Sequence, residues 1–361
     1  MAQLQRLVFN GLRNLTPLDC HIQGKTLLIS GNNGSGKTAL LEGIALLSSG
    51  RSFRENRLQR CQQWQAPQLT LYAEVSNRLG EQRLGWQREK QQSTLRLNGE
   101  AAANQAMLAQ QLPIQIFSPE SQDTLTQGPN ERRRFIDWGA FYHEPHFLSA
   151  WRHYQHALKQ RNHALRQQRP DREILLWHPP LFEAAMQVHQ IRHSYVRALA
   201  TTAAPIMAEV SDSLIHIQMD YHPGWDFNQD LLTLWQNQLA HDRQLGYTQA
   251  GPHRADLKLR LHERDALSIL SRGQQKLLAL SLLLAQSQHL HQALAETPIL
   301  LLDDLAAELD NEHQLRVLAL LTQLSAQTIL TATHANSLAI QADTHWQLNQ
   351  GRIENPSFNA T

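Results

Sequence analysis

Cysteine is scarce in this 361-residue chain: Cys20 and Cys61 lie far apart and without metal-ligand spacing. That argues against a disulfide-stapled scaffold and a cysteine-based zinc site, and it suits a reducing compartment. Net charge is nearly absent, at +1, so a nucleic-acid surface has to be a local patch rather than a property of the whole molecule. Long apolar runs are missing too. Stretches such as Leu277–Ala285 are too short to span a bilayer, and Met1 to Arg6 carry no apolar core of a signal peptide. These absences set the expectation of a cytoplasmic protein with no membrane partner. Neither an internal repeat nor a low-complexity segment is visible, and the length allows a large core divided over two lobes.

What is present is a phosphate loop in its required setting. The strand-forming run Thr26-Leu27-Leu28-Ile29-Ser30 leads into Gly31-Asn32-Asn33-Gly34-Ser35-Gly36-Lys37-Thr38, and a helix-forming run, Ala39 to Leu47, follows directly. The glycines let successive backbone N–H groups turn inward on one anion, and the new helix adds its positive end. Lys37 is expected to reach the β- and γ-phosphates of a bound nucleotide, and Thr38 to offer its hydroxyl to Mg²⁺. A plain glycine-rich turn is the competing reading, and the context weighs against it.

Leu4–Asn10 and Leu12–Ile22 read as strands around Asn10-Gly11. Leu69–Ser76, Gln82–Arg88 and Thr94–Asn98 read as a small antiparallel sheet closed by Asn98-Gly99, followed by a strand at Ile114–Phe117. From Pro129 the pattern turns helical over Glu131–Phe141, Phe147–Gln168 and Leu181–Ala200. Alternation at Ile215 to Tyr221 and at Leu257 to Leu261 returns to strand. The expected fold is α/β. A nucleotide-binding head is built from residues 1–120 and 265–361, with a mainly helical arm over residues 121–264.

The second half of a nucleotide site is also legible. Pro298 to Leu302 is a buried strand ending in Asp303-Asp304, which reads as a Walker B strand. Asp303 is expected to hold Mg²⁺ through water, and Asp304 to orient an attacking water. Leu270-Ser271-Arg272-Gly273-Gln274 opens a further apolar helix, where a hydroxyl and free N–H groups face outward. Helix capping alone accounts for Ser271. Yet Asp303-Asp304, then Ala307-Glu308-Leu309-Asp310, then Thr333-His334 follow in order.

This order resembles the ABC-type ATPases: phosphate loop, signature, Walker B, D-loop and switch histidine. The resemblance implies that Ser271, Gly273 and Gln274 complete the site of an opposite subunit, with Asp310 in the D-loop and His334 as the switch residue. It therefore implies a homodimer when ATP is bound. Within that superfamily, Pro119-Glu120, the run Gly128 to Asp137, Gly251-Pro252-His253-Arg254-Ala255-Asp256-Leu257 and Leu12-Arg13-Asn14 resemble the RecF family of bacterial DNA replication and repair proteins. Thr124 and Gln127 depart from its pattern, away from the phosphate chemistry. That family resemblance implies binding to duplex and gapped DNA, partnership with RecO and RecR in placing RecA, and slow ATP hydrolysis.

Basic candidates for DNA are Arg132, Arg133 and Arg134, then Lys159, Arg161, Arg166 and Arg169 on the arm, and Arg51, Arg54, Arg57 and Arg60 beside the loop helix. Against each stands the solvated face that most charge runs form. The histidine pairs 143/146, 153/156 and 189/193 fall at helical spacings but lack an H-E-x-x-H type ligand set. Three other readings remain open: a small-metabolite P-loop kinase, which has no use for Ser271–Gln274; a transporter ATPase, which needs a membrane partner; and an ATP-regulated clamp with negligible turnover.

Overall fold

The chain begins with β1 (Gln3–Asn10), β2 (Leu18–His21) and β3 (Thr26–Ser30), then the helix Lys37–Ser49. Next come β4 (Gln68–Asn77), β5 (Gly80–Glu89), β6 (Gln92–Leu97), β7 (Glu100–Ala101) and β8 (Ile114–Phe117). The middle holds β9 (Ile217–His222), β10 (Asp256–Leu261) and β11 (Arg264–Asp265). The last stretch holds β12 (Ile299–Leu302), β13 (Thr328–Ala332), β14 (Thr344–Asn349) and β15 (Arg352–Phe358). This computed structural model describes residues 1–121 and 123–358.

Two compact units divide the chain. One comprises Met1–Ser121 with Ser287–Thr361, the other Gln122–Gln286. The first boundary falls beside the expected one. The second falls some twenty residues beyond residue 264, inside the helix Arg272–Leu294. That helix runs through the boundary, and the turn His262-Glu263 just before residue 264 joins β10 to β11 within the second unit.

In the first unit a mostly parallel sheet runs β15-β14-β3-β13-β12-β8, with only β15 antiparallel. Its central strands are buried on both faces, which is why Leu27-Leu28-Ile29 and Ile299 to Leu302 are continuous apolar runs rather than alternations. A second sheet, β2-β1-β4-β5-β6-β7, is antiparallel throughout. There β4 alternates without a break, with Leu69, Leu71, Ala73 and Val75 inward. The helix Lys37–Ser49 is buried on nearly every side and shares one apolar cluster with residues of both sheets. Gly43 permits that closeness, because a Cβ there would meet the Phe9 ring at 2.5 Å. Truncating a buried leucine such as Leu301 to alanine costs about 2–5 kcal/mol.

The expected strand Leu12–Ile22 shortens to Leu18–His21. Arg13 sits at φ 47° and turns its guanidinium onto Glu42, and Asn14 reaches the phosphate loop, so the first half of the segment serves the loop and not the sheet.

In the second unit the helices Pro129–His143, Phe147–Arg166 and His178–Val210 surround a core that includes Tyr154, Leu181, Val188 and Trp235. The last helix continues past Ala200 through Pro205. A three-stranded antiparallel sheet, β11-β10-β9, completes the unit. Two buried arginines brace it. Arg161 donates to Asp242 at 2.8 Å and Thr248 at 2.6 Å; Arg192 grips Asp137 with two bonds of 2.7 and 2.9 Å. Among the described residues no helix is long and apolar enough to cross a membrane.

Candidate nucleotide site

The loop after β3 is built by glycine conformation. Gly34 (φ 79°) and Gly36 (φ 110°) occupy the left-handed region that a side chain disfavours, and Gly36 starts the helix. At Gly31 the objection is space: a Cβ would lie 2.2 Å from the Leu348 carbonyl. Beside Gly34 nothing lies within 4 Å of a Cβ position, so the mouth of the loop is open. Asn14 Nδ2 donates to the Gly34 carbonyl at 2.8 Å, and the Gly351 N–H to the Ser35 carbonyl at 2.8 Å, fixing the loop from outside.

Lys37 folds back over this loop, its amine donating to the carbonyls of Gly31 at 2.6 Å and Asn32 at 3.2 Å. Burial draws its pKa down, while Asp304 and Asp303 draw it up. The buried Ser35 hydroxyl has no hydrogen-bond partner, an unmet polar atom inside the loop.

Asp303 follows β12 and is likewise buried. Burial pushes its carboxyl above the usual carboxylate range, against hydrogen bonds from Thr331 and Thr38. Thr331 Oγ1 donates at 2.7 Å and Thr38 Oγ1 at 3.2 Å, both to Oδ1. Strand order explains the meeting: β13 lies between β3 and β12, so Thr331 is the neighbour of both the loop strand and the carboxylate. Asp304 takes a left-handed backbone (φ 54°), with its N–H donating to Thr331 Oγ1 at 2.9 Å. Ligands in such sheets bind at the carboxyl ends of the strands, where Lys37, Thr38, Asp303 and Asp304 gather.

These residues fit a polyphosphate and a divalent cation. The loop offers N–H groups, an ammonium and an unpaired hydroxyl to an anion. The buried carboxylate is met by two hydroxyls and by no ion pair among the described residues, a donor set suited to Mg²⁺ and water.

The remaining sequence candidates have local partners. Ser271 and Gln274 form a reciprocal cap: the Ser271 N–H donates to Gln274 Oε1 at 2.9 Å, and the Gln274 N–H to Ser271 Oγ at 3.3 Å. Both Ser271 and Gly273 are exposed. Asp310 caps the helix Asn311–Gln323 and pairs with His313 at 2.7 Å. His334, exposed, follows β13 by two residues.

Three contributors escape motif reading. Thr331 sits in an ordinary β-branched strand, and only the strand order gives it away. Asn14 lies in a stretch noted for other reasons. Arg54 acts on Asp303 by charge.

Two arm candidates for DNA are corrected. Arg132 grips Asp256 with bonds of 2.7 and 2.9 Å and donates to the Leu125 carbonyl; its side chain is 11 % exposed. Arg161 is fully buried on Asp242. Each is committed to a carboxylate of its own unit. Arg133 also turns inward, donating to the Ala255 carbonyl. Arg134, Lys159, Arg166 and Arg169 remain at the surface. Among the described residues no three His, Cys, Asp or Glu side chains form a metal-ligand group, and Cys20 and Cys61 are free.

The chain matches the family described as RecF/RecN/SMC N terminal domain over residues 3–353. It is 38 % identical to the DNA replication and repair protein RecF of Hydrogenovibrio crunogenus, over 98 % of this chain and 99 % of that protein. The chain belongs to the RecF family. In fold it follows a solved structure of the recombination mediator protein RecF with ATP in the RecFOR pathway, with a TM-score of 0.88, 24 % identity, and 98 % and 97 % of the two chains covered. An Smc head domain from Pyrococcus furiosus, bound to the C-terminal domain of ScpA, is more distant, with a TM-score of 0.61, 15 % identity, and 99 % and 97 % covered. RecF membership and the SMC-head fold agree with the α/β, ABC-type architecture expected from the sequence.

Proposed function

We propose that this RecF-family chain is an ATP-dependent DNA-binding protein of recombinational repair and replication, acting in the cytoplasm. The observation that carries the ATP half is Thr38, Asp303 and Thr331 joined by hydrogen bonds beside an open, glycine-built loop that holds Lys37. Lys37 and the loop N–H groups bind the phosphates; Thr38 and Asp303 would hold Mg²⁺, whose charge offsets that of the transferring phosphoryl group when bound. Asp304 positions the attacking water and accepts its proton, with His334 beside the γ-phosphate. One methylene shorter than glutamate, Asp304 supports slow turnover.

Ser271, Gly273, Gln274 and Asp310 act on the nucleotide of a second copy, so ATP closes a head-to-tail homodimer on duplex DNA near single-strand gaps. There the dimer helps RecO and RecR load RecA, and hydrolysis releases it. The order of motifs, family membership and the exposure of Ser271 and Gly273 support this reading.

The test uses two variants. Ser271→Arg should leave ATP binding to the monomer nearly intact but abolish ATP-induced dimerisation and hydrolysis; Lys37→Met should lose tight ATP binding. In a mixed dimer one composite site has both an intact loop and an intact serine, so mixing should restore part of the ATPase activity. A Ser271→Arg protein that dimerises and hydrolyses ATP normally returns Ser271 to the role of helix cap and removes the dimer reading.

A further inference from the structure

The segment between the helix Lys37–Ser49 and β4 carries a surface that the nucleotide site does not use. Trp64 is 88 % exposed, although tryptophan is on average a well-buried residue type. A single exposed apolar side chain is ordinary, and a mobile one can fold back. The turn bearing Trp64 is instead tied down on both sides. The Gln63 N–H donates to the Gly11 carbonyl at 2.8 Å and the Ala66 N–H to the Gln63 carbonyl at 3.1 Å. Gln62 Nε2 donates to the Ala66 carbonyl at 2.6 Å, and Leu12 and Gln62 form an antiparallel bridge. The backbone therefore presents the indole to solvent from a fixed point.

The segment that carries Trp64 is rich in cationic and polar side chains. Arg51, Arg57 and Arg60 are exposed, and of the three only Arg60 has a described ion pair, to Glu55 at 3.1 Å. The chain neighbours of Trp64 are the polar Gln62, Gln63 and Gln65. A π-face beside guanidinium groups is the composition that binds single-stranded nucleic acid, with bases stacked on the ring and phosphates held by the cations. Arg60 is four residues from Trp64, within about 14 Å along even an extended chain, the span of a few nucleotides.

We propose that Trp64 stacks on an unpaired DNA base, as at a junction between duplex and single strand, while Arg57 and Arg60 hold the adjoining phosphates. The inference takes from the proposed function only that DNA is bound. It also carries a consequence for ATP. Arg13 donates to the Arg60 carbonyl at 2.8 Å and to both carboxylate oxygens of Glu42 at 2.7 Å, on the helix that begins at the phosphate loop. The next residue, Asn14, holds the Gly34 carbonyl. The Trp64 turn and the phosphate loop thus share a support, so the proposal extends to coupling: tailed DNA should change ATP affinity, and ATP should change affinity for tailed DNA by the same factor. An ATP titration unchanged by tailed DNA removes the coupling while leaving the stacking contact.

The experiment is a fluorescence-anisotropy titration at saturating ATP, with a blunt duplex and the same duplex bearing a single-stranded tail. On the tailed DNA, Trp64→Ala and Trp64→Leu should lose about fivefold to a hundredfold in affinity, and Trp64→Phe should keep most of it. Blunt duplex binding should not change. Trp64→Ala should leave the salt slope as it is, whereas the double variant Arg57→Ala/Arg60→Ala should make it shallower by about one to two. Wild-type affinity of Trp64→Ala for tailed DNA, or an equal loss on both DNAs, overturns the stacking contact while DNA binding itself stands. A wild-type protein that binds neither DNA at low salt overturns the DNA half of the proposed function along with it.

Discussion

Thr331 and Asp303 are joined by a 2.7 Å hydrogen bond in which the threonine hydroxyl donates, while the same oxygen accepts the Asp304 N–H at 2.9 Å. One side chain on a neighbouring strand thus orients both acidic residues. Thr331→Val keeps the shape and removes both bonds, leaving a buried carboxylate oxygen and an N–H short of partners. The expected cost is about 1–3 kcal/mol of stability, together with weaker Mg²⁺-dependent ATP binding. Thr331→Ser should recover most of both. Chemical denaturation and nucleotide titration check this, and a valine variant identical to wild type removes Thr331 from the site.

The two acids should separate when each is neutralised. Asp303→Asn should abolish the Mg²⁺ dependence of ATP binding. It should also raise the melting temperature of the nucleotide-free protein, because burial already holds that carboxyl above its ordinary range and the charge costs stability. Asp304→Asn should keep ATP, slow hydrolysis by a hundredfold or more, and trap the dimer. Wild-type turnover in the Asp304 variant would falsify its role as base.

Arg132 and Arg134, two residues apart, should behave as opposites. Arg132→Ala leaves Asp256 buried with Lys258 as its remaining ion-pair partner at 3.0 Å, and should cost about 3 kcal/mol. Arg134, 63 % exposed, should tolerate reversal to Glu within about 0.5 kcal/mol. Urea midpoints decide between them. DNA binding lost with Arg132→Ala but kept with Arg134→Glu therefore reports folding and not contact.

Acid should destabilise the second unit ahead of its carboxylates. Burial pushes His178, His189 and His253 down to about 4 from 6.5. A folded state that resists protonation keeps its full stability above the unfolded value and loses it as pH falls from about 6.5 towards 4. At His253 the neutral ring suits both partners, with Nδ1 accepting from the Tyr154 hydroxyl at 2.6 Å and Nε2–H donating to the Thr248 carbonyl at 2.9 Å. Its share reaches about 3 kcal/mol at full protonation. Replacing His253 with Gln should flatten the decline of the urea midpoint between pH 7 and pH 5; an unchanged slope would discard this assignment.

The phosphate loop was legible because its chemistry prescribes glycine, lysine and threonine within one contiguous run, Gly31 to Thr38. The Asp303-Asp304 end of β12 was legible for a similar reason, as an apolar run cut off by carboxylates. Charge placement on the arm was not. Arg161 looks like part of a solvated helix face until Asp242, 81 residues away, is folded beside it, and Arg132 meets its partner across 124 residues. Thr331 was hidden in the same way, since a threonine in a buried strand is ordinary until strand order sets it beside Asp303. Helix ends tracked unevenly: Phe147–Arg166 ends two residues from the expected Gln168, whereas His178–Val210 runs ten residues past the expected Ala200.

The position of β3 between β14 and β13 bears on how the molecule is made. On the ribosome Thr26–Ser30 emerges early, but its pairing strands begin at Thr328 and Thr344, about 300 residues later. At roughly 5–20 residues per second the nascent strand waits on the order of 15–60 s for a neighbour. The antiparallel sheet of the first unit and the whole of the second unit can form during that interval; the pairing of β3 cannot. A messenger broken before the codon for Thr328 thus encodes a phosphate loop whose strand has neither flanking partner, so truncated products should be unable to hold nucleotide.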